Sequence, residues 1–133
     1  MKTAVVYYTL GGSTRSFARA EAGLLEAVPA KPYNPFTALM QGCAAARRQR
    51  SVPLAQAPDL TGYDRIVLMA PVWGGFPAPP FNSMAALLPA GAQVEVLLVS
   101  SSGRSEKSRA KVRALIQGKG CRVVCQRDIH SHQ

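Results

Sequence analysis

Four short apolar runs, each closed by a glycine-rich or polar turn, constrain this chain more than any other feature: Thr3–Tyr8, Arg65–Ala70, Gln93–Val99 and Cys121–Gln126. Each is short and rich in Val, Leu and Ile, the pattern of a strand covered on both faces. Between them lie stretches with helical spacing. Ser13 or Thr14 can cap a helix reaching about Val28, with Phe17, Ala20, Leu24 and Val28 on its apolar face. Pro29 and Pro32 end it, and a weak extended segment near Ala30–Asn34 is the remaining strand candidate. Thr37 opens a helical stretch to Arg50, Pro79 and Pro80 begin a helix reaching Leu88, and Glu106–Gln117 forms another, ended by Gly118.

The resulting order, β-α-β-α-β-α-β-α-β, predicts an α/β fold: a doubly wound parallel sheet with helices on both faces. The 133 residues suit one domain, 1–133, with 126–133 read as a flexible polar tail. No apolar run approaches the ~20 residues needed to span a bilayer, so no membrane association is expected. The start reads as a strand rather than a signal peptide, and three cysteines suggest free thiols in a reducing cytoplasm. Cys121 and Cys125, four apart, are expected on one side of the last strand, packed in the core rather than on a metal.

On such sheets ligands bind beyond the carboxyl ends of the strands, where strand order switches. Three loops belong there. Thr9-Leu10-Gly11-Gly12-Ser13-Thr14 joins a strand to a helix. Its glycines let N–H groups approach an anion, and the helix start adds positive potential. A plain capped turn is the competing reading. Pro71-Val72-Trp73-Gly74-Gly75, continuing to Pro77, contains the only tryptophan; Trp73 either packs on something flat or closes the end of the core. Ser100-Ser101-Ser102-Gly103 is polar and ordinary by itself.

Together these loops resemble the flavodoxin family over Met1 to about Val124. The family's phosphate loop, Ser/Thr-x-Thr-Gly-x-Thr after the first strand, is matched by Thr9, Gly12 and Thr14; its Trp-Gly loop is matched by Trp73-Gly74. The resemblance implies a flavodoxin-like five-stranded sheet in the order 2-1-3-4-5, lacking the family's final helix. It also implies non-covalent FMN. Thr9, Leu10, Gly11, Gly12, Ser13 and Thr14 would hold the phosphate. Trp73, flanked by Pro71 and Val72, would stack on the isoalloxazine ring. The Gly74 carbonyl, beside Gly75, would accept the N5–H of reduced flavin, and Ser100, Ser101, Ser102 and Gly103 would line the pyrimidine edge. The expected function is an electron carrier or small FMN-dependent oxidoreductase, served by a redox partner protein or an NAD(P)H-dependent reductase.

Departures define the alternative. Gly11 replaces a phosphate-binding Thr, Gly75 stands where many flavodoxins have an acid, and the third loop lacks the tyrosine that often covers the ring. The net charge is +9, with Arg47, Arg48 and Arg50 in one cluster and further Lys and Arg after residue 100. The alternative is therefore a flavin-free module whose basic surface meets an anionic partner. No nucleic-acid motif accompanies the charge, and nucleic acid is not the expected partner. The short polar tail predicts a homodimer that buries an uncovered sheet face.

Overall fold

The computed structural model describes residues 2–9, 24–100 and 105–130. Five parallel strands form the sheet: β1 (Thr3–Tyr7), β2 (Leu24–Glu26), β3 (Arg65–Trp73), β5 (Gln93–Ser100) and β6 (Arg122–His130), with the two-residue β4 (Phe76–Pro77) antiparallel to β3. Their order, β2-β1-β3-β5-β6, is the predicted 2-1-3-4-5 once β4 is set aside. Ile66–Ala70 and Val94–Val99 include the most buried side chains because β3 and β5 each have neighbours on both sides.

One sheet face carries Val6, Ile66, Leu68, Val94, Val96 and Leu98. Helix α2 (Pro79–Ala86) lays Phe81, Met84 and Ala85 on it, and α3 (Arg109–Gln117) adds Val112 and Ile116. Each fully buried side chain of this size contributes about 1.5–3 kcal/mol. The opposite face presents a smaller buried set, Val5, Tyr7, Val67, Met69, Leu97 and Val99. Of the helix expected from Ser13 or Thr14 to about Val28, the part before Leu24 lies outside the described residues.

A helical run, α1, spans Pro35–Thr37, a π-helical Ala38–Gly42 and Cys43–Arg47. Asn34 caps it and Pro35 begins it, two residues before the Thr37 start expected from the sequence. The Asn34 side chain accepts from Thr37 N at 2.8 Å, and Thr37 Oγ1 accepts from Asn34 N at 2.9 Å, a reciprocal capping box followed by proline. Helix α2 is buried nearly throughout because residues 50–52 cross it. Ser83 Oγ donates to Val52 O (2.6 Å) and accepts from Val52 N (2.8 Å), and Asn82 Nδ2 donates to Arg50 O (3.1 Å).

Four expectations are corrected. First, the second strand is Leu24–Glu26, not Ala30–Asn34, so the first helix does not reach Val28. Leu24–Glu26 pairs with Val5–Tyr7, whereas the later segment holds Pro32, which cannot donate to a ladder. Second, Pro71–Pro77 is not a loop. β3 continues to Trp73 and returns as β4. Third, residues 126–130 are not a tail: β6 runs to His130, which pairs with Ser100, while 131–133 lie outside the described residues. Fourth, Cys121 and Cys125 do not share a face. A register shift between Val94 and Glu95 inserts an extra residue in β6. Cys121 joins the large core and donates to Pro89 O, while Cys125 sits beside Glu95. Glu95 there pairs with Arg65 at 2.9 Å and Arg127 at 3.7 Å. No described helix is long and apolar enough to cross a membrane.

Candidate functional site

The carboxyl ends of β1, β3 and β5 meet along one edge of the sheet, where β1 and β3 leave in opposite directions across it. The centre of that edge is a hairpin. Val72 pairs with Pro77 and Trp73 with Phe76, leaving Gly74 and Gly75 as a two-residue turn. Their φ values, +65° and +90°, are both positive, as type I′ hairpin turns require. Glycine is needed here because a side chain at either position would be strained, and the turn's peptide groups are left bare of Cβ atoms. Pro71 O accepts from Ala78 N at 2.9 Å and sets the direction in which α2 departs.

Trp73 is half-buried and held by aromatic edges. Its ring centroid lies 5.8 Å from that of Tyr8 and 5.1 Å from that of Tyr33, at interplanar angles of 81° and 84°. These are the T-shaped contacts that ring quadrupoles favour. The π-helical part of α1 brings Gly42 against the same ring: a Cβ at Gly42 would lie 2.6 Å from Trp73 Cζ3 and 2.7 Å from Cε3. Glycine permits that approach. Burial, with some repulsion from Tyr33, pushes the Tyr8 phenol up to about 12, and burial raises that of Tyr33 as well.

Beside this cluster opens a cleft of about 190 Å³ lined by Tyr8, Thr9, Glu26, Val28, Pro32 and Tyr33. Tyr33 also walls a 260 Å³ cavity with Thr37, Gln41 and Pro53. The residues that flank the third loop are both tied to β6. Ser100 pairs with His130. Ser105 Oγ donates to Asp128 Oδ1, and Asp128 Oδ2 receives Ser105 N and Arg109 Nη2, each at 3.3 Å.

Of the residues singled out in the sequence, the structure places Thr9, Pro71, Val72, Trp73, Gly74, Gly75 and Ser100 on this edge. Thr9 is joined to Trp73 through the neighbouring Tyr8. Leu10, Gly11, Gly12, Ser13, Thr14, Ser101, Ser102 and Gly103 lie outside the described residues. Sequence reasoning missed Tyr8, Tyr33 and Gly42. Tyr8 was absorbed into the first apolar run. Tyr33 sits between Pro32 and Asn34 with only its aromatic character to mark it, and Gly42 resembles any glycine within a helix.

Solved structures share this fold. A protein described as a flavoprotein from Bacteroides eggerthii superposes with a TM-score of 0.72 and 18% identity, over 95% of this chain and 86% of that one. A flavoprotein in complex with FMN from Lactobacillus acidophilus gives 0.68 and 19%, over 94% and 91%. Flavodoxin 2 from Bacillus cereus gives 0.59 and 16%, over 100% and 88%. No protein-family model and no curated protein matches the sequence. The fold is flavodoxin-like, the same fold as these flavoproteins.

Proposed function

We propose that this protein binds FMN non-covalently across the ends of β1, β3 and β5 and serves as an electron carrier or small flavin-dependent reductase. The observation behind it is the Trp73-Gly74-Gly75-Phe76 hairpin, set next to Thr9 where strand order switches. The residues fit the group. A half-buried indole offers a flat wall, a Cβ-free turn offers backbone donors and acceptors, and the cleft at Thr9 begins where the phosphate loop follows. The Lactobacillus acidophilus protein of the same fold was solved with FMN. Bound FMN would supply the redox chemistry. The chain's own residues would bind and orient it: Thr9 to Thr14 at the phosphate, Trp73 at the ring, Gly74 and Gly75 at its reactive edge, and Ser100 to Gly103 at the pyrimidine.

The Trp73 contacts with Tyr8, Tyr33 and Gly42 favour a second reading, in which the indole is a core residue and the chain is a flavin-free binding module. The absorption spectrum after incubation with FMN and gel filtration separates the two. Co-eluting flavin absorbance with a shifted band supports the first, and its absence supports the second.

A further inference from the structure

We propose that the surface around the Gly74-Gly75 turn is the docking face for a redox partner protein that presents a carboxylate-rich patch. The proposal rests on the FMN reading above and deepens it by naming the partner's chemistry. Two basic segments far apart in sequence converge on the turn. A Cβ at Gly74 would lie 3.8 Å from Arg47 Cγ and Cδ, and one at Gly75 would lie 3.3 Å from Lys107 Cδ, so the two side chains flank the hairpin on either side. Lys111 adds its ammonium 5.6 Å from the centre of the Phe76 ring. Between the end of α1 and α3 runs an open groove of about 680 Å³, rimmed by Arg47, Arg48 and Lys111 and floored by Ala114 and Leu115. Gln49 bridges its walls. The residue takes a left-handed φ of +52°, and its Nε2 donates to Lys111 O at 3.3 Å.

The cations are unneutralised. Arg47, Arg48, Lys107 and Lys111 are exposed, and among the described residues none of them has an ion-pair partner. From Ala38 to Arg50 there is no acidic residue, and between Ser105 and Gln117 the one acid, Glu106, pairs with none of them. At the other end of α1 the large apolar side chains Phe36, Leu39 and Met40 are 70%, 69% and 61% exposed, against the usual tendency to bury such groups. An exposed apolar patch at one end of α1 and, at the other, a basic rim next to the turn where the flavin's reactive edge would lie are the complement of an acidic, partly apolar protein surface. Such charges act mainly on encounter and orientation, so they should appear in association rate and its salt dependence.

The test uses an acidic plant-type [2Fe–2S] ferredoxin as the donor. Two reduced ferredoxins each lose one electron, and one FMN takes both electrons with two protons from solvent. In stopped flow, the second-order rate to the FMN-loaded protein should fall several-fold between 50 and 300 mM salt. The double variant Arg47→Glu, Lys111→Glu should lose at least tenfold in rate at low salt and lose the salt dependence. Lys119→Glu, Arg122→Glu, an equal charge change at the opposite edge of the sheet, should change it less than twofold. Equal losses in both variants, or no salt dependence in the parent, would overturn the proposal. So would displacement of ferredoxin by a single-stranded oligonucleotide at lower concentration than by oligoglutamate of equal charge. FMN affinity, titrated separately for every variant, keeps failure to bind flavin distinct from failure to dock. If FMN does not load, anisotropy of labelled ferredoxin with the apo-protein and the same variants reads the surface alone.

Discussion

Gly42→Ala is the perturbation that most directly probes how the Trp73 ring is held. The new methyl carbon would start 2.6–2.7 Å from two carbons of the indole. Carbon atoms rest at about 3.5–4.0 Å, so roughly 1 Å must be found. The ring cannot swing away cheaply, because Tyr8 and Tyr33 press on it at centroid distances of 5.8 and 5.1 Å. Overpacking of this kind costs about 1–3 kcal/mol. Replacing glycine by alanine within a helix returns up to about 1 kcal/mol. The net expectation is a loss of roughly 1–2 kcal/mol in urea unfolding, with a shifted Trp73 emission and about tenfold weaker FMN binding. Trp73→Ala separates the roles further: it should weaken FMN by about 1 kcal/mol or more if the ring stacks on flavin. A Gly42→Ala protein with unchanged stability, emission and FMN affinity would refute the reasoning that this contact fixes the indole.

Other expectations follow from particular contacts. Tyr8, pushed up to about 12 from the usual 10 by burial, is neutral in the folded state where the unfolded chain ionises, so its stabilising effect is full below pH 10 and is lost as pH rises towards 12. That loss is on the order of 2 kcal/mol, and phenolate absorbance at 295 nm should show a late-titrating group that Tyr8→Phe removes. Ser83→Ala removes both hydrogen bonds to Val52 and should destabilise by about 1–3 kcal/mol in denaturant unfolding, whereas an unchanged midpoint would mean that water or another donor replaces them. The homodimer expected from the sequence remains a proposal. β6 is an edge strand of nine residues with Val124 39% exposed, and light scattering at low micromolar concentration should give twice the chain mass; a monomer mass would dismiss it.

The parallel sheet was legible because β3 and β5 are continuous apolar runs that only a doubly covered strand accommodates. What failed to show failed for identifiable reasons. Leu24–Glu26 follows an apolar pattern of helical period, and only its pairing with Val5–Tyr7 decides for strand. The capping box at Asn34 was masked by the Thr37 that forms its other half. The β6 bulge defeats any assignment of Cys125 from period-two counting, since one extra residue turns the side chain to the other face. At the site, Trp73 and its glycines stood out by rarity and composition. Tyr33, Gly42 and the convergence of Arg47 with Lys107 depend on tertiary contacts that no local pattern encodes.

The central claim is that this edge selects a phosphorylated flavin, and titration of the purified protein with FMN and with riboflavin, followed by Trp73 fluorescence, tests it most directly. Both ligands carry the same ring, so the difference isolates the loop after β1. Quenching by both is expected, with FMN at least tenfold tighter if the Thr9–Thr14 segment and the helix start expected from the sequence hold its phosphate. Equal affinity for the two, or no quenching by either, would contradict it.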